Sequence, residues 1–189
     1  MKRLSDDELM HLVKTGDFSA FDELYNRYRH LLRRFLFSLT WDQDASEDYL
    51  QEVFVRLFQS RERYTPAGRF SAYLFRIAKN YYLTQRRRKS RKELPWTDQR
   101  NGFRPFEDII ANERIEPEIH LMEEYRRWRI RRAIDCLPAA QKLVFVMSHF
   151  EGMKYAEIAA ILGIPVGTVK SRMSVAVSKL RSFLKEDEK

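Results

Sequence analysis

KYAEIAAILGIPVGTVKSRMSVAVSKLRSFL, residues 154–184, is the stretch whose reading decides the fold. It predicts a helix, a short turn and a second helix. Ile158, Ala159 and Leu162 stand at i, i+1 and i+4 and give the first helix an inward stripe. Gly163 supplies the permissive backbone that ends a helix and turns the chain sharply. Ile164 plugs the corner, and Pro165 can open the next helix because its missing N–H would be unpaired there anyway. Small Ala159 lets the two helices cross closely. The arrangement is a helix-turn-helix, whose second helix enters the major groove of DNA.

The second helix divides by angle. At about 100° per residue, Val166, Val169, Met173, Ala176, Val177, Leu180 and Leu184 fall within roughly a quarter of the circumference. The opposite arc carries Gly167, Thr168, Lys170, Ser171, Ser174, Val175, Ser178 and Arg181, with no acid among them. Small, hydroxylic and basic side chains are what a helix needs to approach phosphates and base edges. Val175 stands apart on this arc. It either packs against the C5-methyl of a thymine or touches a neighbouring helix.

Working outward, 189 residues allow one large or two small domains. Hydrophobics at 44% and aromatics at 13% exclude wholesale disorder. The longest aliphatic or aromatic run, Leu143–Met147, is too short to span a bilayer. No signal-type apolar core follows Met1–Glu8, so membrane insertion is not expected and the cytoplasm is the expected location. Cys136 is the single cysteine, which excludes an internal disulfide. His11, His30, His120 and His149 share no ligand spacing, and no metal or other cofactor is expected.

The net charge of +8 points to a polyanionic partner, and its distribution is more informative. Residues 1–60 carry a net −3, residues 61–92 a net +10, residues 93–124 a net −6 and residues 125–189 a net +7. Two basic blocks separated by acid imply two places that touch nucleic acid.

Ser5 followed by Glu8 is a capping signal for a helix over Leu4–Lys14, closed by Gly16. A longer helix is predicted over Ser19–Thr40, with Arg27, Arg29, Arg33 and Arg34 opposite its apolar face. The next, over 45–64, buries Leu50, Val53, Phe54 and Leu57 and turns Glu47, Asp48, Gln51 and Glu52 outward. Asp44, Asp48 and Glu52 align at i, i+4 and i+8. Such a row could serve a metal-dependent phosphotransfer enzyme, but no histidine, phosphate loop or activated nucleophile accompanies it. After a loop at Tyr64–Arg69, a helix over 69–92 places Phe70, Leu74, Ile77 and Tyr81 towards the core. Phe75, Arg76, Lys79, Asn80 and Tyr82 point elsewhere, and seven basic residues with no acid run from Lys79 to Lys92, Arg86, Arg87 and Arg88 among them. Rings interleaved with cations suit unpaired bases. Equally, Phe75 and Tyr82 fit the core of a helix buried on two sides. Residues 90–116, with Pro95, Gly102 and Pro105, read as a linker, and its Trp96, Phe103 and Phe106 suit docking on a partner. Helices are predicted from Pro117 to Cys136 and over Ala139–Glu151, the second packed through Leu143, Val144, Val146 and Met147.

AFDELYNRYR (20–29), SEDYLQEVFVRLF (46–58), RFSAYLFRIAKNYY (69–82) and residues 137–173 together resemble, in order, the bacterial RNA polymerase sigma factors of the extracytoplasmic-function (ECF) type. The resemblance implies an all-α fold of two small helical domains, an N-terminal bundle and a C-terminal four-helix domain with the helix-turn-helix. It puts region two at 1–89, a linker at 90–116 and region four at 117–185. It implies no catalysis and no cofactor. The implied partners are core RNA polymerase, through the β′ clamp helices and the β flap, promoter DNA, and in some cases an anti-sigma factor. By matched position, Asp48, Gln51 and Glu52 resemble the clamp-binding surface. The loop 64–71 and the helix bearing Asn80, with Phe75, Arg76, Lys79, Tyr82 and Arg86–Arg88, resemble the single-strand surface for the −10 element. Thr168, Lys170, Ser171, Arg172, Ser174, Val175 and Ser178 resemble the −35 reading surface. Ser174-Val175 departs from the aromatic or basic pair common in the family. A free-standing helix-turn-helix regulator is the alternative, and it leaves the aromatic-basic helix without a role.

Overall fold

The computed structural model describes residues 4–66, 69–92 and 117–186; among them lie eight α-helices, one 3-10 turn and no strand. Helix α1 (Asp6–Lys14) begins on the expected capping box, in which Ser5 Oγ accepts the Glu8 N–H and the Glu8 carboxylate accepts the Ser5 N–H. Helix α2 (Phe18–Thr40) begins on Asp17, whose carboxylate accepts the Ser19 and Ala20 N–H groups. Those bonds, with the Ser19 hydroxyl foremost, hold the Asp17 pKa below the ordinary value. Helix α2 ends on Trp41 in the left-handed conformation (φ 55°), the one non-glycine residue there among those described. Helix α3 (Gln43–Gln59) is capped by Asp42, which accepts the Ala45 N–H.

The helix expected to run to residue 64 stops at Gln59. A 3-10 turn over Arg61–Arg63 follows and swings Tyr64 into the core, against Phe70 and Tyr73. Helix α4 (Phe70–Lys92) continues three residues into the segment expected as linker; Trp96, Phe103 and Phe106 lie outside the described residues. Helices α5 (Pro117–Asp135), α6 (Ala139–His149), α7 (Tyr155–Leu162) and α8 (Val166–Glu186) complete the chain. Gly163 is left-handed at φ 68° and α7 and α8 meet at 105°, within the range of a helix-turn-helix. Ile158, Ala159 and Ile161 are buried from α7, whereas Leu162 is only half-buried. On α8, Val169 and Ala176 are buried as expected, but Val166 is 39% exposed.

The resemblance implies two small helical domains, and one buried cluster runs across both, from Leu9 through Phe35, Leu39 and Phe75 to Val144, Met147 and Val169. Helix α2 packs on α6, and α4 packs on α7. Polar groups fix this joint. Lys142, 3% exposed, donates to the Leu39 carbonyl at 2.7 Å, a helix-end acceptor that α2 cannot satisfy itself. It also pairs with Asp135, and burial pulls its pKa below the usual lysine value. Arg34 grips Glu151 through Nε and Nη2, at 3.2 and 2.8 Å to Oε2. Trp41 lies edge-on to Phe150, with the Arg131 guanidinium 5.5 Å from its ring centre. Those contacts hold its left-handed backbone in place.

Candidate nucleic-acid interface

Helix α3 builds the first surface. Asp44, Asp48 and Gln51 are exposed on one stripe and Glu52 is half-buried beside them. Glu52 Oε1 accepts Arg56 Nε at 2.7 Å, and the Arg56 guanidinium lies 4.8 Å from the Tyr81 ring centre. Among the described residues no acidic or histidine cluster is arranged to hold a metal ion, so the carboxylate row remains an exposed helix face.

The chain Glu52–Arg56–Tyr81 leads into a groove of about 410 Å³ between α3 and α4, lined by Arg56, Arg63, Tyr73, Ile77, Asn80 and Tyr81 among others. Tyr73 donates to Ser60 Oγ at 2.8 Å and carries the Arg76 guanidinium 5.5 Å from its ring centre. Asn80 is exposed on the groove wall and Arg76 is exposed beside it. Lys79 is half-buried; burial and then the neighbouring Arg76 depress its pKa. Rings under guanidinium groups and an amide at the mouth suit an unpaired base and its phosphate. A second pocket, about 320 Å³, lies where the loop after Tyr64 meets α7, and Arg63, Tyr64, Thr65, Arg69, Arg76 and Ala160 line it.

The structure reverses part of the α4 assignment. Phe75 is 1% exposed and meets Phe35 at 5.1 Å, and Tyr82 is 6% exposed, with a pKa raised chiefly by burial. Both belong to the core, because α4 is covered by α2 on one side and by the C-terminal half on another. Ile77 and Tyr81, expected in the core, are half-buried and line the groove instead. Arg86 is half-buried, hydrogen-bonds Tyr82 and acts electrostatically on Lys142 at the joint, which leaves Arg87, Arg88 and Lys89 as the exposed cations of the run among the described side chains. Arg56 and Tyr73 were not singled out from sequence. Their signal was the Glu52–Arg56 spacing and an aromatic on each side of Asn80.

Helix α8 carries the third surface. Lys170, Ser171, Ser174 and Ser178 are exposed, Thr168 and Arg172 are half-buried, and Val175 keeps 43% of its surface. Ser171 Oγ donates to the Thr168 carbonyl at 3.0 Å, which parks its hydrogen on the helix and leaves its oxygen lone pairs outward. A hollow of about 550 Å³ runs along this face between Tyr155, Lys170, Ser174, Ser178 and Arg181.

A helical protein with a basic helix-turn-helix face and an arginine- and tyrosine-lined groove has the build of a DNA-binding protein. The Sigma-70 region 2 family matches residues 24–92, and the Sigma-70 region 4 family matches residues 127–180. The ECF RNA polymerase sigma factor SigE of Mycolicibacterium smegmatis is 33% identical over 173 residues, covering 90% of this chain and 65% of that protein. The ECF RNA polymerase sigma-E factor of Escherichia coli K12 is 31% identical over 177 residues, covering 91% of this chain and 90% of that one. The fold matches that of CnrH, solved with the cytosolic domain of CnrY, at TM-score 0.69 and 24% identity over 96% of this chain and 98% of that one. It also matches RpoE of Bartonella quintana, solved with the anti-sigma factor NepR, at TM-score 0.62 and 24% identity over 87% and 96% of the two chains. The chain belongs to the ECF RNA polymerase sigma factors, and its role is promoter recognition in transcription initiation.

Proposed function

We propose that the three surfaces divide the work of initiation. The α3 stripe with Asp48, Gln51 and Glu52 docks the β′ clamp helices of core RNA polymerase. The groove of Arg56, Tyr73, Asn80 and Tyr81, with Arg76 and Lys79 nearby on α4, the loop 64–71 and the cations Arg87 and Arg88, holds the opened −10 strand. On α8, Thr168, Lys170, Ser171, Arg172, Ser174, Val175 and Ser178 read the −35 duplex, while the region-four domain (117–185) meets the β flap. The region-two domain (1–89) carries the first two surfaces, and 90–116 tethers the halves. The protein acts in the cytoplasm as a binding factor without catalysis, and an anti-sigma protein is the partner that would hold it inactive.

The observation that carries this reading is the Glu52–Arg56–Tyr81 chain. It joins the acidic stripe to the base-sized groove through one ion pair, so docking and strand capture share α3. Asn80→Ala and Tyr81→Ala should slow open-complex formation more than closed binding, because stacking one base contributes about 1–3 kcal/mol and only once strands separate. Permanganate reactivity of unpaired thymines measures this. Reactivity equal to wild type in both variants rejects the groove.

A further inference from the structure

Tyr64 and Phe70 bound the stretch that carries Thr65 and Arg69, two of the residues that line the pocket of about 320 Å³. The first end is held directly from α1 and the second through Tyr28 of α2, while α1, remote in sequence, contributes nothing to the lining of the pocket. At the first end, Tyr64 is buried and its hydroxyl donates to Asp7 Oδ1. Lys14 Nζ donates to the Tyr64 backbone carbonyl at 2.5 Å. At the second end, buried Phe70 meets the Tyr28 ring at 5.3 Å, and the Tyr28 hydroxyl donates to Asp6 Oδ2 at 2.5 Å. Asp6 Oδ1 is fixed in turn by Arg27 Nη1 at 2.9 Å. Two adjacent carboxylates in the first turn of α1 therefore act on Tyr64 directly and on Phe70 through the Tyr28 ring.

Docking α1 as such does not need these contacts. Leu9, Met10 and Val13 already bury its apolar face, and the Ser5–Glu8 box already caps it. The polar bonds instead converge on Tyr64 and, through Tyr28, on Phe70. A hydrogen bond to an ionised carboxylate is shorter and more directional than a neutral one, which suits it to fixing a ring.

We propose that α1 is a brace for the base-capturing pocket: Asp6, Asp7 and Lys14 are positioning residues that fix Tyr64 directly and Phe70 through Tyr28, shape the pocket that Tyr64 lines, and so set which base of the −10 element is accepted. The proposal rests on the reading that the pocket of Tyr64, Thr65 and Arg69 takes an unpaired −10 base.

The test uses polymerase reconstituted with the full-length chain and promoters varied one base at a time through the −10 element. Asp7→Ala and Tyr64→Phe should each lower the preference for the best base over its competitors roughly three- to tenfold, a fraction of the worth of one charge-assisted hydrogen bond, because the bond acts on the base only through the ring. Affinity for core polymerase should not change. Asp7→Asn, which keeps an acceptor for the tyrosine hydroxyl, should restore most of the preference. The Asp7→Ala, Tyr64→Phe double variant should be no worse than either single. A uniform fall across all −10 sequences, or a lower melting temperature with base preference intact, makes the contacts merely structural and overturns the brace. Thr65→Ala with Arg69→Ala separates the two layers. If this pair leaves base preference intact, the loop is not the reader and the underlying reading falls. If it lowers preference while the α1 variants do not, the brace alone falls.

Discussion

Replacing Lys142 by methionine tests how the two halves of the molecule are held together. The side chain is 3% exposed and donates to the Leu39 carbonyl at 2.7 Å and to Asp135. Methionine keeps the stem volume and removes the ammonium. Asp135 is 38% exposed at its side chain and can turn to water, so its loss is small. The Leu39 carbonyl cannot, and a buried acceptor left without its donor costs about 1–3 kcal/mol. Removing a desolvated ammonium returns part of that. The net, about 1–2 kcal/mol, falls on the joint rather than on either half, because the hydrogen bond crosses from α6 to α2. The population with separated halves should therefore rise roughly 5- to 30-fold. Dyes at Asn26 and Lys179, both exposed, in a Cys136→Ser background would report the distance between halves by single-molecule energy transfer. An unchanged distance distribution refutes the reasoning and leaves the aliphatic contacts of α6 as the real hold.

Three further outcomes follow from the same geometry. Glu52→Lys should weaken core-polymerase binding in a titration while changing stability by only about 0.5 kcal/mol, since the residue is partly exposed; unchanged affinity would remove it from the docking face. Val175→Ala should cost under about 1 kcal/mol at the preferred −35 box, and replacing one thymine there by uracil should cost wild type the same and the variant nothing more; a uracil scan with no Val175-dependent position sinks the contact. Burial first, then their hydrogen bonds to Asp6 and Asp7, raises the pKa values of Tyr28 and Tyr64 above 10.0. Their contribution is thus complete below pH 10 and lost as pH climbs through the folded values. The Tyr28→Phe, Tyr64→Phe double variant should show a flatter loss of urea midpoint above pH 10, and an equally steep loss would place the alkaline transition elsewhere.

The helix-turn-helix was legible because everything that makes it is local: Gly163 at φ 68°, Ala159 at the crossing, and an apolar arc at helical spacing. The same holds for the Ser5–Glu8 box and the acidic stripe of α3. What failed on α4 was not local. Periodicity offered two faces and could not say that the second, with Phe75 and Tyr82, meets α2 and the C-terminal half, so a core face looked like a base-stacking face. The mirror error put Tyr81 inside, although Arg56 draws it into the groove. The joint was invisible for the same reason. Lys142 reads as an ordinary surface lysine until a helix end more than 100 residues away supplies its acceptor.

The packing of α7 against α4 sets a condition on the whole binding reaction. Ala160 lies on the wall of the pocket formed by Arg63, Tyr64 and Arg69, so the two reading units sit side by side. Promoter elements about two helical turns apart require them roughly 70 Å from each other. If these units read the two boxes as proposed, the closed molecule cannot engage both at once, and bipartite affinity scales with the open fraction. If one molecule in a hundred is open, apparent affinity is about a hundredfold below intrinsic. Core polymerase raises that fraction only by the difference between its affinities for the open and closed forms. A protein that clasps both halves in their packed arrangement lowers it without touching a single base-reading residue.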